Sequence, residues 1–169
     1  MFAVNASPQI LEWSVAHTRP RCEKRVVDWA QREGILTTLP LYKSVKRYRG
    51  KTVTFLKPLF PGYVFLRSEA PLLPKIRQNQ HVANLLAIPD QQEFEHQLSD
   101  ILIALETELE VRLAPQIDKG SKVRIKSGPL RGMEAWVQER TGTVEAILRL
   151  DFIGQAAAVM VNADDLELV

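Results

Sequence analysis

The chain has 169 residues, 46% of them hydrophobic and 25% charged, which allows one domain or two small ones of ordinary globular composition. The single cysteine excludes an internal disulfide, and with only three scattered histidines we expect neither a metal nor a cofactor. No apolar run is long enough to predict a membrane span, and the absence of a signal-peptide pattern predicts a cytoplasmic protein. The net charge of +2 combines +9 over residues 1–80, −7 over 81–110 and zero over 111–169, which predicts a basic face for nucleic acid or, alternatively, a solvated face whose charges partly pair.

The first predicted elements are a strand and an amphipathic helix. Residues 12–17 alternate between polar and apolar side chains, which is typical of a strand. Thr18 and Pro20 supply a capping hydroxyl and a helix-start proline, and Gly34 is a typical residue for the helix end. We interpret Cys22 as a small hydrophobe of the buried stripe rather than a reactive thiol. This stripe comprises Cys22, Val26, Trp29 and Ala30.

A long basic hairpin is predicted next. Residues 37–45 and 52–56 have extended, β-rich character, and a cluster of lysines and arginines around Gly50 separates them. The tip of the hairpin is therefore expected near Arg49-Gly50-Lys51.

An aromatic strand follows the hairpin. Prolines and a glycine bend residues 58–62, and the strand pleat then directs Tyr63 and Phe65 to one face and the apolar residues between them to the other. If the sheet is covered on one side only, these rings and nearby Phe60 form an exposed strip of the kind that binds a partner. If helices cover both faces, the same rings belong to the core.

The remaining elements of this first part are helical and extended segments. Residues 71–78 suit a short helix, 82–88 a strand, and 90–109 a strongly amphipathic helix. Residues 112–118, which include Pro115, predict a short linker. The apolar stripe of the long helix comprises Phe94, Leu98, Ile101, Leu102, Leu105 and Leu109.

Short apolar runs separated by glycines fill the rest of the chain and predict a small β-barrel. The predicted fold class is α+β: an N-terminal α/β sandwich with a mainly antiparallel sheet, followed by a five-stranded β-barrel. The predicted domains cover residues 10–110 and 119–169, with a linker at 111–118.

Two motifs in this order resemble the NusG family of transcription elongation factors. The N-terminal pattern comprises Trp13-Ser14-Val15, Glu23, Pro40-Leu41-Tyr42 and 58–65. A KOW motif runs from Gly120 to Gly132. The basic hairpin and compact linker are more similar to specialised RfaH-like antiterminators than to the housekeeping factor.

The resemblance implies an NGN-like domain that docks on the clamp helices of the largest RNA polymerase subunit, holds the clamp closed and suppresses pausing or termination. Such a factor acts by binding two polymerase conformations with different affinity, and not by chemistry. Carried over by motif, the polymerase-binding residues are Tyr42, Phe60, Pro61, Tyr63 and Phe65.

The basic surface fits upstream or non-template DNA, since lysines and arginines contact phosphates without reading sequence. Arg19, Arg21, Lys24 and Arg25 start the first helix, and Lys46, Arg47, Arg49 and Lys51 line the hairpin. Specialised family members also read flipped bases, for which Arg19, Arg21, Gln78 and Gln80 are the candidates.

The KOW loop is the third candidate site, with Pro129, Leu130, Arg131 and Met133. In the family this loop meets a small-subunit ribosomal protein or the termination factor Rho. The family commonly has aromatic residues where this chain has Leu130 and Met133, which argues against Rho binding.

Other classes of function fit less well. No glycine-rich phosphate loop, Cys/His pair or close pair of acids suits an enzyme. A KOW-containing protein of translation that binds RNA or the ribosome is the main alternative, but its second domain should be basic, whereas this one is neutral. A homodimeric scaffold is a third reading, and we expect a monomer instead.

Overall fold

The computed structural model describes residues 10–115, 120–140 and 143–169. Within these ranges, residues 10–39 and 61–91 form one compact unit, and residues 40–60 and 92–169 form another. This grouping differs from the domain ranges predicted from the sequence, because the hairpin and the long helix group with the C-terminal strands.

Strands dominate both units. In chain order they are β1 (Glu12–Thr18), β2 (Leu36–Thr38), β3 (Leu41–Tyr48), β4 (Lys51–Pro58), β5 (Tyr63–Ser68), β6 (Val82–Ala87), β7 (Val111–Pro115), β8 (Ser121–Ile125), β9 (Glu134–Arg140), β10 (Thr143–Leu150), β11 (Gln155–Met160) and β12 (Leu166–Leu168). The helices are α1 (Glu23–Arg32), α2 (Leu73–Arg77) and α3 (Gln91–Glu106), with 3₁₀ turns at Ala70–Leu72, Asp151–Ile153 and Ala163–Asp165.

The first unit is a four-stranded antiparallel sheet in the order β2-β5-β1-β6, with α1 and α2 against one face. Val64 and Leu66 of β5 share a buried cluster with Val26 and Ala30 of α1 and Ile76 of α2. The predicted mixture of helices with an antiparallel sheet is confirmed.

The start of α1 differs from the prediction. Thr18 remains in β1, where its N–H donates to the carbonyl oxygen of Gly62 at 2.8 Å. Arg21 adopts a φ of 61°, which a right-handed α-helix does not accommodate, so the helix begins at Glu23 and Thr18 does not cap it. Cys22 is half-buried, with its Sγ 3.4 Å from the carbonyl oxygen of Pro20, and is not the fully buried hydrophobe that we expected.

The sheet of the first unit has no exposed aromatic strip. Phe65 is 0% exposed, and Val15, directly opposite on β1, is also 0% exposed. Their face of the sheet is the one opposite to Val64 and Leu66, so the side chains on both faces are buried. Phe60, in the second unit, is 1% exposed. Of the two alternatives for these rings, the core therefore applies to Phe60 and Phe65, and the exposed strip does not.

The hairpin is confirmed with its predicted tip. β3 and β4 pair from Leu41 opposite Pro58 to Tyr48 opposite Lys51. Arg49 and Gly50 both have positive φ, at 47° and 77°, which is the conformation of a two-residue type I′ turn.

The helix α3 buries the predicted stripe in part. Phe94, Leu98, Ile101 and Ala104 are buried, whereas Leu102 and Leu105 are half-buried. The helix contacts the 3₁₀ turn after β10: the Gln97 side chain donates to Asp151 Oδ2 at 2.7 Å and accepts from the Asp151 N–H at 2.9 Å. The ring of Phe94 meets that of Phe152 edge-on, with centroids 6.4 Å apart.

The C-terminal strands form a six-stranded antiparallel sheet in the order β12-β8-β9-β10-β11-β7. One buried cluster of this sheet comprises Ala114, Ile147, Ala156 and Ala158, with Trp136 beside it. Residues 111–115 were expected in a linker, but they form a strand that pairs with β11. This pairing gives their backbone N–H and C=O groups hydrogen-bond partners. No pairing between the described residues of β12 and β7 closes this sheet, so the predicted five-stranded β-barrel is not confirmed.

Candidate partner and nucleic-acid surfaces

The accessible part of the predicted partner site is centred on Tyr63. This half-buried ring stacks on His17, its neighbour across the β1–β5 pair, with centroids 5.1 Å apart and planes 20° from parallel. His17 and Pro61 are exposed. Together these residues form a surface that we call the Tyr63 surface, defined by His17, Pro61 and Tyr63.

The bend before β5 holds the Tyr63 surface in place. Gly62 has a φ of 86°, and its N–H donates to Glu23 Oε1 at 2.9 Å. Its carbonyl oxygen accepts the N–H of Thr18. Because Glu23 stands in the first turn of α1, its carboxylate also interacts favourably with the positive end of the helix.

The five predicted polymerase-binding residues differ in accessibility. Pro61 is exposed, Tyr63 and Tyr42 are half-buried, and Phe60 and Phe65 are buried. Tyr42 lies in the second unit, where it lines a groove of about 260 Å³ between the base of the hairpin and the residues after α3. His17 was not among the predicted contact residues. The alternation of residues 12–17 assigns it to a face of the strand, but its place beside Tyr63 depends on the β1–β5 register.

One predicted basic residue of the first unit, Arg19, makes an exposed contact with the backbone of residues 80 and 81. The side chain of Arg19 donates from Nε to the carbonyl oxygen of Gln80 at 2.9 Å, and its backbone N–H donates to the carbonyl oxygen of His81, also at 2.9 Å. The structure thus brings Arg19 and Gln80 together as candidate nucleic-acid contacts. The other predicted residues of this unit, which are also exposed, are Arg21, Lys24, Arg25 and Gln78.

Five of the six basic residues of the hairpin are exposed, Lys57 is half-buried, and all of them belong to the second unit. They include the predicted Lys46, Arg47, Arg49 and Lys51. Lys57 was not among the predicted contact residues, but it is close to Lys46: a side-chain hydrogen bond between the two amines and the repulsion of their charges lower the pKa of Lys57.

The predicted KOW loop is only partly available to a partner. Pro129 and Arg131 are exposed and Met133 is half-buried, but Leu130 is 1% exposed. Leu130 is therefore a core residue and not the apolar contact that we expected. Beside the loop lies a cavity of about 440 Å³, lined by Pro129, Leu130, Ile125, Val144, Met160 and neighbouring residues.

Within residues 10–115, 120–140 and 143–169, no three histidine, cysteine or acidic side chains come together in a way that could hold a metal ion. None of the helices in the described part of the chain is long and apolar enough to cross a bilayer.

A sequence model of one family, described as transcription termination factor nusG, matches residues 11–111. A comparison with curated proteins gives no significant match. The matched segment runs from the residue before β1 through α3 to the first residue of β7 and covers more than half of the chain. It includes the Tyr63 surface, the hairpin and the Arg19–Gln80 contact. The chain therefore belongs to the NusG family of transcription factors.

Proposed function

We propose that the protein is a transcription elongation and antitermination factor that binds RNA polymerase on the clamp helices of its largest subunit. By binding the closed clamp more tightly than the open one, it stabilises the closed state and suppresses pausing or termination. The single observation that carries this proposal is the family match over residues 11–111, which includes the accessible Tyr63 surface.

The docking contact is made by the residues that solvent can reach. Tyr63 presents a ring pre-positioned by His17, and Pro61 stands exposed beside it. Aromatic residues of this kind dominate binding energy when they enter a partner pocket. Tyr42 contributes a second half-buried ring. In this proposal the buried Phe65 supports the strand that presents Tyr63, whereas Phe60 belongs to the interior of the second unit.

A pull-down against core RNA polymerase tests the docking contact. Tyr63→Ala combined with His17→Ala should lower the affinity at least tenfold, because truncation of a buried interface ring costs about 2 kcal/mol. The matched control is Leu36→Ala, which removes an exposed apolar side chain at the edge strand of the same sheet and should bind as the wild type does. Equal retention of the double variant and the control would reject the docking contact.

DNA is the second partner in this proposal. Arg19, Gln80 and the exposed basic residues of α1 and the hairpin face upstream or non-template DNA through phosphate contacts. The support for this assignment is their exposure together with the basic balance of the first 80 residues.

The C-terminal sheet supplies a third contact. Pro129, Arg131 and Met133 keep accessible surface beside the cavity of about 440 Å³, which suits an apolar segment of a protein such as a small-subunit ribosomal protein. The loop presents no aromatic ring, and we therefore do not assign Rho as a partner.

A further inference from the structure

One face of the β3–β4 hairpin carries exposed rings that the proposed DNA contact does not use. Side chains alternate along each strand and match across each pair, so the register assigns every residue to a face. Tyr48 is 64% exposed and Phe55 is 45% exposed. Both stand on what we call the ring face. The ring face comprises Tyr42, Ser44, Lys46, Tyr48, Lys51, Val53, Phe55 and Lys57.

The opposite face of the hairpin provides a built-in comparison. It is also exposed and also basic, but it carries no aromatic ring. Its exposed apolar residues are Val45, at 63%, and Leu56, at 53%. This opposite face comprises Leu41, Lys43, Val45, Arg47, Thr52, Thr54, Leu56 and Pro58.

Lysines separate and flank the rings on the ring face. Tyr48 pairs with Lys51, the next pair on this face is Lys46 with Val53, and the following pair is Ser44 with Phe55. The two rings are thus four residues apart along the strands, or about 13 Å. Lys57 follows two residues after Phe55 on the same face.

The charge of the hairpin calls for an anionic partner. Residues 41–58 contain no aspartate or glutamate. Among the described residues, no carboxylate forms an ion pair with Lys46, Lys51 or Lys57. Lys46 lies close to Lys57 and lowers the pKa of Lys57. A phosphate between the two amines would relieve the repulsion of their charges.

The rings of Tyr48 and Phe55 indicate which kind of nucleic acid, single-stranded or duplex, this face would bind. A duplex offers phosphates to lysines, but the flat faces of its bases are stacked inside the helix. Single strands expose those faces, and aromatic side chains in a positively charged groove bind them by stacking. We propose that the ring face binds single-stranded nucleic acid, with Tyr48 and Phe55 stacking on bases and Lys46, Lys51 and Lys57 contacting the backbone phosphates. This inference rests on the proposed function and refines its DNA contact.

Fluorescence anisotropy with the full chain, without polymerase and at low salt, tests the proposal. Three probes of about 12 nucleotides separate its parts: single-stranded oligo-dT, an abasic strand of the same length, and a duplex. The ring variant is Tyr48→Ala with Phe55→Ala. The matched control is Val45→Ala with Leu56→Ala, which truncates apolar side chains of the same hairpin on the opposite face.

The ring variant should bind oligo-dT about tenfold more weakly than the wild type and bind the abasic strand equally well, because only the stacking is removed. The control variant should match the wild type on every probe. Tyr48→Phe with Phe55→Tyr, which keeps both rings, should restore binding of oligo-dT. Lys46→Gln with Lys51→Gln should weaken binding to both single strands, because both carry phosphates.

Several outcomes would overturn the proposal. The ring variant could bind oligo-dT as tightly as the wild type, which would leave the rings to a protein partner or a second copy of the chain. An equal loss of duplex or abasic binding would show that the rings do not meet bases. Since the assay contains no polymerase, failure here leaves the Tyr63 pull-down unaffected, and failure of the pull-down leaves this assay unaffected.

Discussion

Gly62 is the residue whose backbone most directly determines the Tyr63 surface. Its φ of 86° lies where side chains of L-residues are strained, and its N–H and carbonyl oxygen both have partners, on α1 and β1. A Cβ at this position would meet the His17 ring at 3.5 Å, which is an ordinary contact distance. The cost of a larger residue therefore comes from the backbone and not from crowding.

We expect Gly62→Ala to lower the free energy of unfolding by about 1–2 kcal/mol, because alanine at positive φ is strained. Urea denaturation measures this change. Glu23→Gln is the comparison, since it keeps an oxygen to accept the Gly62 N–H and should cost less. Equal stability of Gly62→Ala and the wild type would mean that the bend relaxes into another conformation, and polymerase binding through Tyr63 should then fall as well.

At the scale of single residues, the sequence predicts faces better than exposure. The alternation in 63–68 correctly separates Val64 and Leu66 from Tyr63 and Phe65. It carries no information about what covers each face, because coverage depends on residues far away in the chain. Leu130 shows the same limit: a loop position next to Pro129 has the local pattern of a contact residue, yet its side chain is buried.

In the hairpin, the effect of charge can be tested separately from the effect of backbone geometry, because exposed charged side chains can be replaced without changing the strand pairing. Arg47 and Arg49 are exposed, and their replacement should leave the β3–β4 pairing intact because that pairing uses the backbone of Arg47 and does not include Arg49. Arg47 belongs to the face opposite to the rings, and Arg49 stands in the turn. Their charges therefore report on phosphate contacts independently of Tyr48 and Phe55.

Reversing both charges, in Arg47→Glu with Arg49→Glu, should weaken binding to the transcription elongation complex more at low salt than at high salt. At 0.1 M ionic strength salt screens the interaction of exposed charges that lie more than about 10 Å apart, and this distance shortens as salt rises. The contribution of phosphate contacts therefore shrinks with increasing salt. Titrations at several salt concentrations measure the slope. The neutral pair Arg47→Gln with Arg49→Gln should lie between the wild type and the reversal, and a loss that does not change with salt would exclude phosphate contacts.

The hairpin was predicted well because its signals are local: a basic cluster, a glycine and two extended runs. The turn needs positive φ at Arg49 and Gly50, and a glycine at the second position supports it. β7 was missed for the opposite reason. Its five residues have little strand character of their own and are ordered by pairing with β11, more than 40 residues later in the chain.

At the scale of the molecule, the helix α3 and the C-terminal sheet form a partly buried polar cleft. Asp100 of α3 lines a cavity of about 180 Å³ with Lys122, Trp136 and Arg149 of the sheet. Burial raises the pKa of the Asp100 carboxyl above its ordinary value of 3.8, and His96, with its Nε2 3.7 Å from Oδ2, opposes this shift.

This pKa shift gives a stability that depends on pH. A raised pKa means that the folded state holds the proton more tightly than the unfolded state, so the contribution is complete below the ordinary pKa and is lost as pH rises through the raised one. Asp100→Asn should therefore be more stable than the wild type near pH 7, by about 1 kcal/mol or less since the carboxyl is only partly buried.

Urea midpoints at pH 7 and pH 4 measure the difference between Asp100→Asn and the wild type, which should shrink at the lower pH. Glu106→Gln removes an exposed acid at the end of the same helix and should show no such trend. A gain in stability of Asp100→Asn that is the same at both pH values would contradict the assignment to burial.

The pairing of β7 with β11 leaves only residues 107–110 between the last turn of α3 and the sheet. Such a short connection acts as a tight tether and not as a long flexible linker. For the sheet to move away from α3, the five residue pairs between β7 and β11 must first separate and the Gln97–Asp151 hydrogen bonds must break. A partner bound to the sheet would consequently lie at a fixed distance from α3. That distance could increase only if β7 separated from β11.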